Sequence, residues 1–254
     1  MIPIKRPAEI EGMRRAGACV AEILEKTAAF VAPGLTTREV DAFAASEIAK
    51  AGAKSAFLGY RGFPGNICIS VNEEVVHGIG GSRRLQIGDV VKLDVGIIKE
   101  GWIGDTATTV PVGLVEPAVA KLLDVTKASL YEGIAQAKDG NRVGDISHAV
   151  EQYVVKHGFT VVREFVGHGV GRKLHEEPQV PNYGRPRNGP KLKAGMTLAI
   201  EPMVNMGRCD VRILADGWTV VATDGLKSSH FEHVVLVTEG EPEILTCRSA
   251  TASR

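Results

Sequence analysis

The chain has 254 residues, 44% hydrophobic and 24% charged, which is enough apolar material to bury a sizeable core and excludes a disordered chain. Thirty basic residues balance thirty acidic ones, so no global field favours a specific nucleic-acid partner or an anionic membrane. Four dispersed cysteines, Cys19, Cys68, Cys209 and Cys247, form no CxxC pair, which excludes a zinc ribbon or redox dithiol and fits a reducing compartment.

In chain order, MIPIKRPAEI leads into charged amphipathic sequence rather than an apolar signal core, and no run reaches the ~18 apolar residues of a membrane span. A cytoplasmic protein is expected. Residues 7–31 carry helical periodicity, with Pro7 suited to a first turn and Pro33-Gly34 as the stop. Thr36 followed by Glu39 predicts a capping box that opens a second helix, ending near Gly52. Residues 66–76 and 88–98, rich in Val and Ile, predict strands. Helices are expected over 116–138 and 144–157, and further strands near 160–166, 196–205, 218–223 and 231–238.

The chain also resembles itself. GLTTREVDAFAASEIAKAG (34–52) aligns with GNRVGDISHAVEQYVVKHG (140–158) at an offset of 106, and LQIGDVVKLD (85–94) aligns with LKAGMTLAIE (192–201) at 107. Two matches in the same order predict a duplicated helix-then-strand unit. In such a duplication Asp94 and Glu201 occupy equivalent places, and a site shared between the halves becomes plausible.

Acids in apolar surroundings mark that site. In KLDVGIIKEGWIGDTATTV (92–110), Asp94 and Asp105 flank a hairpin signal at Lys99-Glu100-Gly101. An even-length loop at Lys99-Glu100, or from Ile98 to Gly101, pairs the two aspartates directly across the strands, where they repel unless a proton or cation neutralises them. Glu201 ends the apolar run MTLAIEPM, and Glu232 heads FEHVVLVTEG. Burying such carboxylates is costly unless they are paired or bind metal. Four acids and one histidine supply oxygen-rich ligands for two divalent ions, and favour Mn, Fe, Co or Zn over a thiolate zinc site. FVGHGVGRKLHEEPQVPNYG (165–184) offers His168 and His175 in a run too rich in Gly and Pro for a regular helix or long strand. HEEPQ is not HExxH and GHGVG is not GxGxxG; no GxxxxGK[ST] or GxSxG occurs. Metal-assisted hydrolysis is the remaining chemistry.

Five motifs, VNEEVVHGIG, KLDVGIIKEGWIGDTATT, GHGVGRKLHEEPQVPNYG, AIEPM and FEHVV, are in this order and spacing similar to those of type I methionine aminopeptidases, and the resemblance runs from about residue 5 to 245. It implies the pita-bread fold, an α/β (α+β) architecture with antiparallel-rich sheet covered by helices. One metallopeptidase domain spans 1–254, its two pseudo-symmetric halves at about 5–110 and 111–245 around a dinuclear site, with a mobile tail at 246–254. It implies that Asp94 chelates one metal, that Asp105 and Glu232 bridge both, and that His168 and Glu201 complete the other. The two divalent ions would be Co, Mn, Fe, Zn or Ni. A metal-bound hydroxide would attack the carbonyl of an N-terminal methionine, with Glu201 as proton shuttle. His175 would donate to the oxyanion and His77 would contact the peptide nitrogen. Tyr60, Phe63, Cys68 and Trp218 match the methionine pocket, whereas Leu174 departs from relatives with Phe there. The substrate would be the N-terminal methionine of nascent polypeptides near the ribosome exit, with a small second residue preferred. A monomer is expected, without specific nucleic acid or membrane. The rivals are a proline-specific peptidase of the same fold and a noncatalytic binding module on that scaffold.

Overall fold

The computed structural model describes residues 2–247. The two expected N-terminal helices form as α1 (Pro7–Phe30) and α2 (Thr37–Lys50). At the head of α2 the Thr36 hydroxyl accepts from the Glu39 amide at 3.2 Å, and the Glu39 carboxylate accepts from the Thr36 amide at 2.7 Å. Short strands β1 (Lys54–Ser55), β2 (Cys68–Val71) and β3 (Glu74–Val76) precede a long hairpin, β4 (Val90–Lys99) and β5 (Trp102–Pro111). The second half repeats the plan with α3 (Pro117–Ile134) and α4 (Val143–Lys156), then β6 (Thr160–Val161), β7 (Gly167–Gly169), β8 (Glu176–Val180), β9 (Thr197–Ile200) and β10 (Met203–Asn205). It closes with β11 (Val211–Ile213), β12 (Val220–Ala222), β13 (Ser228–His230), β14 (His233–Leu236) and β15 (Glu243–Ile244). Among the described residues no helix is long and apolar enough to cross a membrane.

Alternation along the strands decides which side chains meet. On β4, Val91, Leu93, Val95 and Ile97 join Val20, Ile23, Val40 and Ile48 in a core between the sheet and α1 and α2. The intervening Lys92, Asp94 and Gly96 face the other way. In the second half Leu198 and Ile200 of β9 pack with Leu130, Ile134 and Ile146 of the helices, which sends Ala199 and then Glu201 to the opposite face. The aligned glycines of the two halves share left-handed backbone: φ is 88° and 91° at Gly34 and Gly140, and 95° and 90° at Gly88 and Gly195. Only glycine enters that region without steric cost, so the turns that begin the repeated units are matched in conformation as well as in sequence.

The hairpin register corrects one expectation. Lys99 pairs with Trp102, so the loop is Glu100-Gly101, and Asp94 faces Ala107 while Asp105 faces Gly96. Both loop residues have positive φ, 52° and 78°, as a tight primed turn requires. Centring it on Lys99-Glu100 would put two side-chain-bearing residues there, at roughly 1–2 kcal/mol each. The two-residue slip preserves the face, because side chains alternate with period two. Asp94 and Asp105 are therefore diagonal neighbours opposite small residues rather than a direct pair.

The expected strands at 196–205 and 231–238 are each broken at an acid. Glu201-Pro202 separates β9 from β10, and Phe231-Glu232 separates β13 from β14. β9 pairs with β14 in a five-stranded sheet of order β15-β14-β9-β7-β8, whereas β10 pairs with β13 in a three-stranded one. Pro202 has no amide hydrogen to continue the ladder. Glu201 and Glu232 thus sit opposite each other where two paired chains pass between sheets. Of the expected tail, Thr246 is buried and its hydroxyl lies 2.9 Å from Nδ1 of His233; residues 248–254 lie outside the described residues.

Candidate metal centre and active site

Four local devices bring the acids together. Asp94 and Asp105 project from one face of the β4–β5 hairpin. The Glu232 amide donates to the Ala107 carbonyl at 3.0 Å, and the Thr106 hydroxyl donates to the Glu232 carbonyl at 2.8 Å, tying the second half to the first. The Asn182 side-chain amide donates to the Glu201 carbonyl at 3.0 Å. His168 is not in a loop: it is the centre of the three-residue strand β7, paired with Gln179 of β8 and Ala199 of β9. Gly169 beside it allows the backbones to approach, since a Cβ there would lie 2.1 Å from the Glu177 carbonyl oxygen.

The result is a cluster of buried acids around one imidazole. Ligand atoms of Asp105, His168 and Glu232 all lie within 4.8 Å of one another. His168 Nε2 is 3.5 Å from Glu201 Oε1 and 3.9 Å from Asp105 Oδ2. Its Nδ1 lies 2.9 Å from the Gly169 carbonyl oxygen. That carbonyl fixes the proton on Nδ1 and leaves the Nε2 lone pair facing the acids, the tautomer a metal ligand needs.

The electrostatics require a cation or protons. Burial pushes Asp94 up to about 7 and Glu201 up to about 8. Burial, reinforced by neighbouring carboxylates, pushes Asp105 and Glu232 well above the ordinary range. Burial lowers His168 to about 4, so its imidazole is neutral. Lys92, fully buried two residues before Asp94, donates instead to the carbonyls of Asn72 at 2.6 Å and Ser228 at 3.3 Å. Asp94 Oδ1, Asp105 Oδ1 and Glu232 Oε1 are buried without a hydrogen-bond partner among the described residues. Orphaned carboxylate oxygens converging beside an imidazole lone pair are what divalent cations complete, so these residues fit the metal that the sequence implies.

All five expected ligands line one cavity of about 290 Å³, together with His77, His175, Tyr60, Phe63, Cys68 and Trp218. Cys68 pairs with Asp94 across β2 and β4, which sets the thiol in the wall beside the acids; burial raises its pKa well above the thiol range. Phe63 and Trp218 meet edge to face at 5.1 Å between centroids. His77, at a φ of 60°, meets Phe165 and Trp218 edge-on, and burial lowers its pKa to about 4. The His175 ring lies 4.3 Å from that of His168, and the Tyr60 hydroxyl is 2.9 Å from His175 Nδ1.

The structure adds residues that the sequence reading passed over. Phe57, Val76, Phe165 and Met203 complete the apolar wall, and Arg61 stands at the same cavity. His230, fully buried with neither ring nitrogen hydrogen-bonded among the described residues, places Nε2 3.7 Å from Glu201 Oε2. Its position two residues before Glu232 on the same strand face was the available signal.

A neutral imidazole set among buried acids beside an apolar pocket defines a metal-dependent hydrolase, and the comparisons narrow the class. Residues 11–239 match metallopeptidase family M24. The chain is 52% identical to methionine aminopeptidase 1 of Bacillus subtilis (strain 168), over 97% of this chain and 99% of that protein. The crystal structure of methionine aminopeptidase from Thermotoga maritima superposes with a TM-score of 0.95 at 46% identity, covering 97% and 99% of the two chains. Prolidase from Pyrococcus furiosus shares the fold, with a TM-score of 0.79 at 22% identity, and 66% of its chain is covered. The chain belongs to metallopeptidase family M24, the pita-bread fold, and within it to the methionine aminopeptidases.

Proposed function

We propose that this protein removes the N-terminal methionine from nascent proteins and peptides, with a small second residue preferred, using two divalent cations held by Asp94, Asp105, His168, Glu201 and Glu232. The observation that carries the reading is the union, in one cavity, of the acid cluster, His77, His168 and His175, and an apolar wall that includes Phe63 and Trp218. Asp94, Asp105, His168, Glu201 and Glu232 would together hold the cations, with Asp105, His168 and Glu232 offering ligand atoms within 4.8 Å of one another. Such cations, of the Co, Mn, Fe, Zn or Ni class, lower the pKa of a water and polarise a carbonyl oxygen.

The chain's own residues do the rest. Phe63, Cys68, Tyr60 and Trp218 grip the methionine side chain, where a thioether gains from aromatic edges. Glu201 is the proton shuttle: as a carboxylate, the form that bound cations favour, it takes a proton from the attacking water and passes it to the departing amine. His175 donates from Nε2 to the oxygen on which negative charge develops. His77 contacts the peptide nitrogen as the bond breaks. The wider reading is a single domain of two halves, monomeric and cytoplasmic, meeting nascent chains near the ribosome exit without specific nucleic acid or membrane. The balanced charge of the chain supports the last part, the lack of a specific nucleic-acid or membrane partner.

A substrate panel on metal-reconstituted protein tests the proposal. Met-Ala-Ser is cleaved and Xaa-Pro peptides are left uncut. Cleavage of Xaa-Pro but not Met-Ala-Ser would move the protein to the prolidase branch, and cleavage of neither would make it a binding module.

A further inference from the structure

A second groove, of about 570 Å³, opens beside the catalytic cavity, and the two share Arg61, Val166, His168 and His175 in their walls. Its far bank is β8, the outer strand of the five-stranded sheet, with Glu177 and Gln179 exposed. An extended chain advances ~3.3 Å per residue and can lie along this edge, although Pro178 leaves it one amide donor short. With the methionine side chain held at the apolar end and the reacting carbonyl at His175, the rest of the substrate leaves past Arg61 into this groove.

The charges along that exit are unequal. Glu176 is neutralised by the Lys5 ammonium at 2.8 Å. Arg61 and Lys173 form no ion pair among the described residues, so the groove is lined by two unpaired cations and one unpaired acid, Glu177. Arg61 stands at the junction, over the Tyr60 ring at 5.4 Å, in the walls of both the cavity and the groove. We propose that Arg61 is a specificity-determining residue that reads the third residue of the substrate and favours a carboxylate there. The inference rests on the peptidase reading given above.

The test compares kcat/KM for C-terminally amidated Met-Ala-Glu-Ser, Met-Ala-Gln-Ser and Met-Ala-Lys-Ser. Native protein should prefer Glu over Lys by about threefold to tenfold at low salt, the scale of a solvent-exposed charge contact felt with opposite signs, and the ratio should shrink as salt is added. Arg61→Lys should keep the preference, Arg61→Gln bring it near one, and Arg61→Glu invert it. Because each ratio is taken within one enzyme, a general loss of activity or stability cancels. A flat ratio in the native protein, or one that survives in both Arg61→Gln and Arg61→Glu, would overturn this inference while cleavage itself upholds the peptidase. Failure to cut all three peptides would overturn the peptidase reading, and this one with it.

Discussion

The hydroxyl of Tyr60 lies 2.9 Å from Nδ1 of His175. Tyr60 was read from the sequence as pocket wall, yet this contact ties it to the orientation of the imidazole. A hydroxyl that donates to Nδ1 leaves the ring proton on Nε2, the nitrogen that would donate to the carbonyl in the proposed mechanism. Tyr60→Phe keeps the wall and removes the anchor. Its kcat should fall about tenfold, at the lower end of what residues behind a site contribute, with KM for Met-Ala-Ser little changed. His175→Ala should lose about 10²–10³ in kcat, the worth of one oxyanion donor, while binding metal normally. A rise in KM alone in Tyr60→Phe would return that residue to the wall.

The buried acids make a signed prediction about pH. Carboxyls raised to about 7 at Asp94 and about 8 at Glu201 bind protons in the metal-free native state that the unfolded chain has already released. Stability of the metal-free protein from these groups is therefore greatest below the ordinary carboxylate range and is lost as pH rises through 7 to 8. Buried His77, His168 and His230, lowered to about 4, act oppositely, but only between about 4 and their unfolded value near 6.5. Between pH 6.5 and 8 the raised carboxyls outnumber the one opposing group, buried Lys92, which is lowered to about 7, so the Tm of chelator-treated protein should fall across that window. Saturating divalent metal should remove most of the fall and release protons on binding, measurable by calorimetry in buffers of different ionisation enthalpy. A flat Tm in that window would show that the acids are ionised without metal.

The four acids were legible because each carboxylate conflicts with its apolar neighbours, and the repeat linked Asp94 to Glu201; His168 was singled out from the other histidines only by the family resemblance. The register of the hairpin was not, because the choice between Lys99-Glu100 and Glu100-Gly101 depends on which residues accept positive φ. Equally hidden were the breaks at Glu201 and Glu232, since a run of Val, Ile and Leu reads as one strand whether or not it crosses between sheets. Arg61 escaped because it has an ordinary local sequence and owes its place to long-range contacts, whereas His230 carried one signal, its alternation with Glu232.

His230 supplies a further test. Its ring backs Glu201 at 3.7 Å, so His230→Ala should loosen that carboxylate and weaken metal affinity by roughly 10- to 100-fold, as loss of a ligand's outer partner does. Titration of metal-free protein by calorimetry reads this without turnover. Unchanged affinity would leave His230 as packing only.

Asp216 tests the pocket. Its carboxylate accepts from the backbone amides of Trp218 and Thr219, each at 2.9 Å, and from the Thr219 hydroxyl at 2.6 Å. These bonds fix the turn that presents the Trp218 indole to Phe63. Asp216→Ala should raise KM for Met-Ala-Ser about fivefold to tenfold, an energy of about 1 kcal/mol for lost turn bonds, with kcat nearly constant. A fall in kcat at constant KM would place Trp218 outside the methionine pocket.

The central claim is that the acid cluster around His168 carries the hydrolysis through bound cations. Methionine release from Met-Ala-Ser, followed while chelated protein is titrated with Mn or Co, tests it most directly when run beside Asp105→Asn. Native protein should be inactive after chelation and regain activity with added metal, whereas Asp105→Asn should stay folded and fail to recover. Methionine release by the chelated protein, or full recovery in Asp105→Asn, would contradict the account.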